Sequence, residues 1–416
     1  MNGSDGDSLG LYISIPFCRS KCTYCNFASG VYPASDHARY VARLIEDLRA
    51  APAWAEQTGA ALPRRVDTVY LGGGTPSLLA PELIARLFSS IRAEFALDPD
   101  AEITVECAPG QIGEETLQAL AAAGVNRISL GVQSFIDREA AVSGRLHSSA
   151  VVISDVARLR AAGIANLSID LIAGLAGQTF ASWQESLAAL TGSGVPHASV
   201  YMLEVDQDSR LGRELLAHGA RYHAELVPTD DAVAQMYSIA IEMFDRAGLD
   251  QYEISNFARP GHQSRHNLRY WQRRPYLGLG LDASSMLRES LLKCDDACRV
   301  LRTTTTDDLQ AYLAGADPVE TSWLTPRQQH EEAWFLGLRL NTGVEIAAVE
   351  REFGRAIVAP ALEAAARLVD AGLLVSDGKT VRLTQRGQLL SNDVFEEFLE
   401  LDVDLDAATS PKTTAH

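Results

Sequence analysis

No stretch of the 416 residues is apolar over the roughly 18 positions that a bilayer-spanning helix needs, so the chain is not expected to be an integral membrane protein. Basic charge is also in short supply. There are 36 Lys and Arg against 54 Asp and Glu, a formal net charge of −18. A general nucleic-acid binder needs clustered cations to neutralise phosphates, and docking to an anionic membrane needs the same. The first ten residues, MNGSDGDSLG, hold two Asp and no Lys or Arg. They do not read as a secretory signal, and the expected location is cytoplasmic. Cysteine is scarce: Cys18, Cys22, Cys25, Cys107, Cys294 and Cys298 are all there are. An odd trio packed into eight residues is not a disulfide framework; it reads as metal or redox chemistry in a reducing compartment. A composition 47% hydrophobic and 22% charged excludes a largely disordered or fibrous chain.

Between residues 11 and about 205, short β-rich runs alternate with helical patterns. The runs are Leu11–Ile15, Val66–Leu71, Glu102–Glu106, Arg127–Gly131, Leu167–Leu171 and Ala198–Leu203. They read as strands buried on both faces. Helical patterns fill the gaps, among them Asp36–Ala50, Pro81–Phe95, Glu114–Gly124 and Ser148–Gly163, several stopping at glycine. Strand and helix repeating at this spacing predicts βαβ units and a parallel sheet. Six units suit an open or partial barrel, with chemistry at the C-terminal strand ends. Beyond 205 the alternation stops. Residues 230–247 read as one amphipathic helix, and Gln251–Met286 shows no clean period. Residues 326–400 read as a helical, winged-helix-like unit with a hairpin around Asp377 and Gly378. The tail from Leu401 is expected to be disordered.

The densest chemical signal is IPFCRSKCTYCNF, residues 15–27, which spaces Cys18, Cys22 and Cys25 as C-x3-C-x2-C directly after the first strand. Three thiolates on one loop can wrap an iron–sulfur cubane and leave its fourth iron open. A structural zinc site would need a fourth ligand, and the nearest candidate, His37, lies inside the next helix. The polar Arg19-Ser20-Lys21 stretch argues against three core cysteines. LGGGTPS, residues 71–77, follows the second strand; its glycines permit close backbone approach to a ligand or simply a tight corner. Glu106, Gln133, Arg145 and Asp170 then lie at or just beyond successive strand ends. Singly each reads as a solvated loop or cap; together they lie where a parallel sheet presents ligand groups.

The three-cysteine motif, with an aromatic before its last cysteine, is the signature of the radical S-adenosylmethionine (SAM) superfamily. From about Leu11 to Leu399 the chain resembles the oxygen-independent coproporphyrinogen III oxidase family, and within it the HemW-type heme chaperones. The resemblance implies a partial (β/α)6 barrel, a [4Fe–4S] cluster on Cys18, Cys22 and Cys25, and SAM contacts from Tyr12, Gly73, Gly74, Thr75, Glu106, Gln133, Arg145 and Asp170. It further implies heme as cargo, an acceptor apoprotein and an electron donor. HNLRYW, residues 266–271, matches the HN-x2-YW pattern of the chaperones, which implies His266 as a heme ligand beside Tyr270 and Trp271. The same segment also fits a packing role, with His266 hydrogen-bonded and Trp271 and Tyr276 seating a second domain on the barrel.

Two departures bear on function. Classical coproporphyrinogen oxidases carry a fourth cysteine where this chain has Phe27, which weighs against a dehydrogenase and leaves a radical SAM methylase as the other enzymatic alternative. Many chaperone relatives end a later motif in Gly-Ala-His-Ser; here it reads Asp282-Ala283-Ser284-Ser285. Cys294 and Cys298 read as incidental, and Cys107 as a small buried residue. The expected organisation is a radical SAM core over 1–230, an accessory segment with HNLRYW over 231–320, a C-terminal HemN-type domain over 321–400, and the tail 401–416.

Overall fold

The computed structural model describes residues 8–207, 209–219, 221–290, 299–315, 320–399 and 401. Cys294, Cys298 and the tail beyond Leu401 lie outside the described residues. Among the described residues no helix is long and apolar enough to cross a membrane.

Six parallel strands build the centre: β1 Ser8–Ile15, β2 Arg65–Gly73, β3 Ala96–Cys107, β4 Arg127–Gln133, β5 Asn166–Ala173 and β6 His197–Met202. They lie side by side in chain order, each step crossed by helices. Seven further residue runs complete a thirteen-stranded sheet among the described residues. At the β6 edge, β7 Asp250–Glu253 and β8 Asn256–Ala258 add antiparallel. At the β1 edge, β9 Tyr276–Leu279 pairs parallel with β1. Beyond it come antiparallel β10 Ser284–Glu289, β11 Val300–Thr304 and β12 Glu320–Trp323, and the pair Ala60–Ala61 also joins β10.

Residues 230–320 are therefore two flanks of the same sheet. Their sequence shows no period because their elements are only three to seven residues long, apart from the helix Asp230–Arg246.

The strands are buried on both faces, as expected, but only one of the two faces is apolar. In β1, Leu9, Leu11, Ile13 and Ile15 are fully buried beneath helices, whereas Gly10, Tyr12 and Ser14 turn to the other face. β3 repeats the pattern, with Ile103, Val105 and Cys107 outward and Glu102, Thr104 and Glu106 inward. The apolar face packs on helices such as Ala34–Thr58, whose Tyr40, Val41, Leu44, Ile45, Leu48, Ala51 and Ala55 form one buried stripe. Each such Leu or Ile contributes about 1.5–3 kcal/mol. The inward face is polar and forms the lumen of the partial barrel.

The C-terminal unit has its own core around Trp334, Val358, Ala361 and Phe398. Helices Pro326–Leu338, Ile346–Phe353 and Arg355–Asp370 are joined by a hairpin of β14 Leu374–Ser376 and β15 Thr380–Leu383; the short β13 Val344–Glu345 pairs with β15. Asp377 turns the hairpin by accepting the Lys379 and Thr380 amides. The unit docks on both flanks of the sheet. Ile254 N donates to Arg339 O and Asn341 N to Tyr252 O at one flank, and Arg302 pairs with Glu332 at the other.

Candidate functional site: the cysteine loop, the lumen and an aromatic cleft

The cysteine loop leaves β1 and is fastened by backbone bonds. Gly74 N donates to Ile15 O at 2.9 Å, Thr75 N to Phe17 O at 2.8 Å and Cys18 N to Gly30 O at 2.8 Å. Two helices add to this: Thr23 N donates to Ser143 O, at the end of the helix Asp137–Val142, at 3.1 Å, and Leu211 N, in the helix Arg210–Leu216, donates to Thr23 O at 2.8 Å. A Cβ on Gly74 would lie 2.7 Å from Ile15 O and 2.8 Å from Phe17 O, so only glycine allows the two loops to close this tightly. The amides of Gly74 and Thr75, expected to meet SAM, are thus engaged with the cysteine loop.

Cys18, Cys22 and Cys25 are free, half-buried thiols. Cys18 Sγ lies 3.9 Å from Thr75 Oγ1 and Cys25 Sγ 3.8 Å from Ser29 Oγ. Burial pushes the Cys18 thiol up, hydrogen bonds from Ser29 and Thr75 oppose this, and Cys25 and Cys22 add to it. Among the described residues no three His, Cys, Asp or Glu side chains converge as they would on a single metal ion. A tetrahedral ion with metal–sulfur bonds near 2.3 Å would hold its thiolates within about 3.8 Å of one another. A cubane seats each thiolate on a separate iron, so an open three-thiol loop fits a cluster. His37 stacks on the Phe17 ring at 3.9 Å, a packing contact.

Around the same end of the lumen stand Tyr12, Gly73, Glu106, Gln133, Arg145 and Asp170. Gly73 has φ +95°, and a Cβ there would lie 2.8 Å from Ser14 Oγ and 3.6 Å from Tyr12 Oη. Glu106 accepts from Tyr70 OH at 2.7 Å. Burial pushes its carboxyl up to about 7, helped by Asp170 and opposed by the Tyr70 and Gly73 hydrogen bonds and by Arg145. Gln133 sits at a register shift with φ 69°. Arg145 lies over Gly131, and its Nε is buried with no partner. Asp170 accepts from Ser129 Oγ at 3.0 Å and Ser168 Oγ at 3.2 Å. Two carboxylates, an amide and an underused guanidinium suit the amino, hydroxyl and carboxylate groups of SAM.

The strand alternation places further polar groups in the lumen that the sequence reading did not single out: Tyr70, Ser129, Ser168 and Tyr201. The signal was a two-residue period in each strand, as in Ser168-Ile169-Asp170.

His266 is in the lumen, 1% exposed, with both ring nitrogens engaged. Nδ1 is 2.9 Å from Thr68 Oγ1 and Nε2 is 2.8 Å from Tyr270 OH. Its ring stacks on Tyr70 at 5.2 Å. Burial, and Arg269 nearby, push the imidazole down to about 3, so it is neutral. This is the hydrogen-bonded placement of the two the sequence allowed. Beside it opens a cleft of about 380 Å³, walled by Tyr12, Tyr270, Trp271 and Tyr276, with Asp282, Ser284, Arg302 and Leu336 completing it. Ser284, the position at which the family resemblance implied a His, is therefore on the cleft wall.

Residues 12–190 match the model of the radical SAM superfamily, and residues 324–390 that of the HemN C-terminal domain. The heme chaperone HemW of Lactococcus lactis is 32% identical over 395 residues, covering 94% of this chain and 97% of the relative. That of Bacillus subtilis is 32% identical over 394 residues, covering 93% and 98%. Among solved structures, coproporphyrinogen III oxidase (HemN) from Escherichia coli superposes with a TM-score of 0.78 at 23% identity, covering 94% of this chain and 90% of that one, which shows the shared fold. The chain belongs to the radical SAM superfamily and, within it, to the family of the HemW heme chaperones.

Proposed function

We propose that this protein is a radical SAM heme chaperone, which holds a [4Fe–4S] cluster on Cys18, Cys22 and Cys25, binds SAM and heme, and passes heme to an acceptor apoprotein in the cytoplasm. The observation that carries the reading is that Tyr12 belongs to two places at once. It stands in the polar lumen beside Gly73 and Tyr70, and it walls the aromatic cleft. A ligand in the cleft would thus lie beside the SAM end of the lumen.

When bound, the cluster with SAM on its open iron supplies one-electron chemistry, fed by an external donor. The chain's own residues do the rest. Arg145 offers its unpaired Nε to a carboxylate. Glu106 and Asp170 face amino and hydroxyl groups, and Gly73 lets the ligand approach the backbone. The four aromatic walls of the cleft suit the faces of a tetrapyrrole. In this reading residues 1–230 carry the cluster and SAM, 231–320 bring HNLRYW to the cleft, and 321–400 close its far side through Leu336.

The test is anaerobic cluster reconstitution, titration with heme, and mixing with a heme-free globin as acceptor. Saturable heme binding followed by globin loading is expected. Conversion of coproporphyrinogen to protoporphyrinogen with SAM under the same conditions would instead establish the dehydrogenase alternative.

A further inference from the structure

We propose that Tyr270, not His266, is the side chain that ligates heme iron, and that His266 positions it. This rests on the reading that the cleft takes heme.

The helix Arg265–Trp271 is fixed at both ends. Glu102 accepts the Arg265 and His266 amides at 3.2 and 3.0 Å, and Arg269 is bound to Asp67, Ser8 O and Pro275 O. His266 cannot turn to the cleft without leaving Thr68, Tyr270 and the Tyr70 ring together. Tyr270, one helical turn later, stands between His266 and the cleft and is part of the cleft wall. Among the described residues of that wall there is no His, Cys or Met; the groups able to ligate ferric iron are phenols and the Asp282 carboxylate. Tyr276 already accepts from Arg302 Nη1 at 2.6 Å. Tyr12 touches the His266 ring only through its own ring, whereas the Tyr270 hydroxyl is hydrogen-bonded to the imidazole. Phenolate is an established axial ligand of heme iron.

Neutral His266 holding its ring hydrogen on Nε2 donates to the Tyr270 oxygen at 2.8 Å, and Thr68 Oγ1 then donates to Nδ1 at 2.9 Å; this is the tautomer the proposal takes. On ligation the iron–oxygen bond forms, the phenol O–H breaks, and its proton leaves to water through the open cleft, while His266 Nε2–H donates to the phenolate oxygen. No electron moves, and return of the proton frees the heme.

The full-length protein is titrated with ferric heme. The wild type is expected to show a phenolate-to-iron charge-transfer band and phenolate Raman modes that shift when tyrosine is ring-deuterated, a measurement that needs no variant. Tyr270→Phe should lose both and weaken ferric heme binding at least tenfold. His266→Gln should keep the band at a displaced wavelength. An imidazole-ligated wild-type spectrum that His266→Gln abolishes, or a wild-type spectrum in Tyr270→Phe, overturns the assignment. Ser284→Trp fills the cleft from an exposed position. Unchanged affinity in it overturns the cleft itself, whereas lost affinity with a wild-type spectrum in Tyr270→Phe overturns only the ligand.

Discussion

The guanidinium of Arg145 occupies the space above Gly131: a Cβ built on Gly131 would overlap Arg145 Nη2 and lie 3.1 Å from Gln133 Nε2. The obstacle is the far end of a flexible side chain, so Gly131→Ala should displace Arg145 without unfolding the strand. SAM affinity, by equilibrium dialysis of the reconstituted protein, is expected to fall roughly tenfold, about 1.4 kcal/mol, with a near-wild-type Tm. Unchanged affinity would remove Arg145 from the SAM site.

Gly74→Ala should act differently, because its Cβ meets the backbone of Ile15, Pro16 and Phe17. Backbone cannot rotate away, and overpacking of this kind costs about 1–3 kcal/mol. The cysteine loop must shift, so iron retention after anaerobic reconstitution should drop well below wild type. Full cluster content in Gly74→Ala would show that the two loops need not close this tightly.

Each of Cys18→Ser, Cys22→Ser and Cys25→Ser should abolish iron–sulfur absorbance, since a hydroxyl is a poor ligand beside thiolate. Cys107→Ser is the control. Cys107 is 4% exposed, and burial pushes its thiol up to about 12, so it should keep the cluster. Cluster loss in Cys107→Ser alone, with retention in the other three, would reverse the assignment.

In the C-terminal unit, His330 is fully buried and accepts from Trp334 Nε1 at 3.0 Å. Burial pushes its imidazole down to about 4, with Arg273 adding to that and Glu331 and Glu352 opposing. The unfolded chain takes up this proton near pH 6.5, and the folded one only near 4. Stability from neutral His330 is thus full above 6.5 and lost as pH falls toward 4. His330→Gln keeps an acceptor for Trp334 and removes the titration. Its Tm should therefore fall less than wild type between pH 7 and pH 4.5; parallel curves would show that His330 does not titrate this way.

Much of the barrel was legible because its strands are local patterns. Leu11–Ile15 falls inside β1, and the helix read as Pro81–Phe95 runs Pro81–Glu94. The hairpin around Asp377 and Gly378 was legible because turn chemistry is local too. The polar lumen was also written in the strands, as a two-residue period, but a short β-rich run looks alike whether one face or both are apolar. The flanking strands β7 to β9 were not legible, since runs of three or four residues carry no period.

The sequence by itself determined that three thiols share one loop and that a glycine-rich turn follows the second strand, because spacing along a chain is preserved however it folds. Only the tertiary structure decided what His266 does. Its partner Thr68 is 198 positions away, and the Tyr270 hydroxyl that caps its other nitrogen reaches it only because Glu102 and Asp67 hold their helix against the lumen. A side chain's free atoms are those left over after packing, and packing joins residues that no local pattern connects.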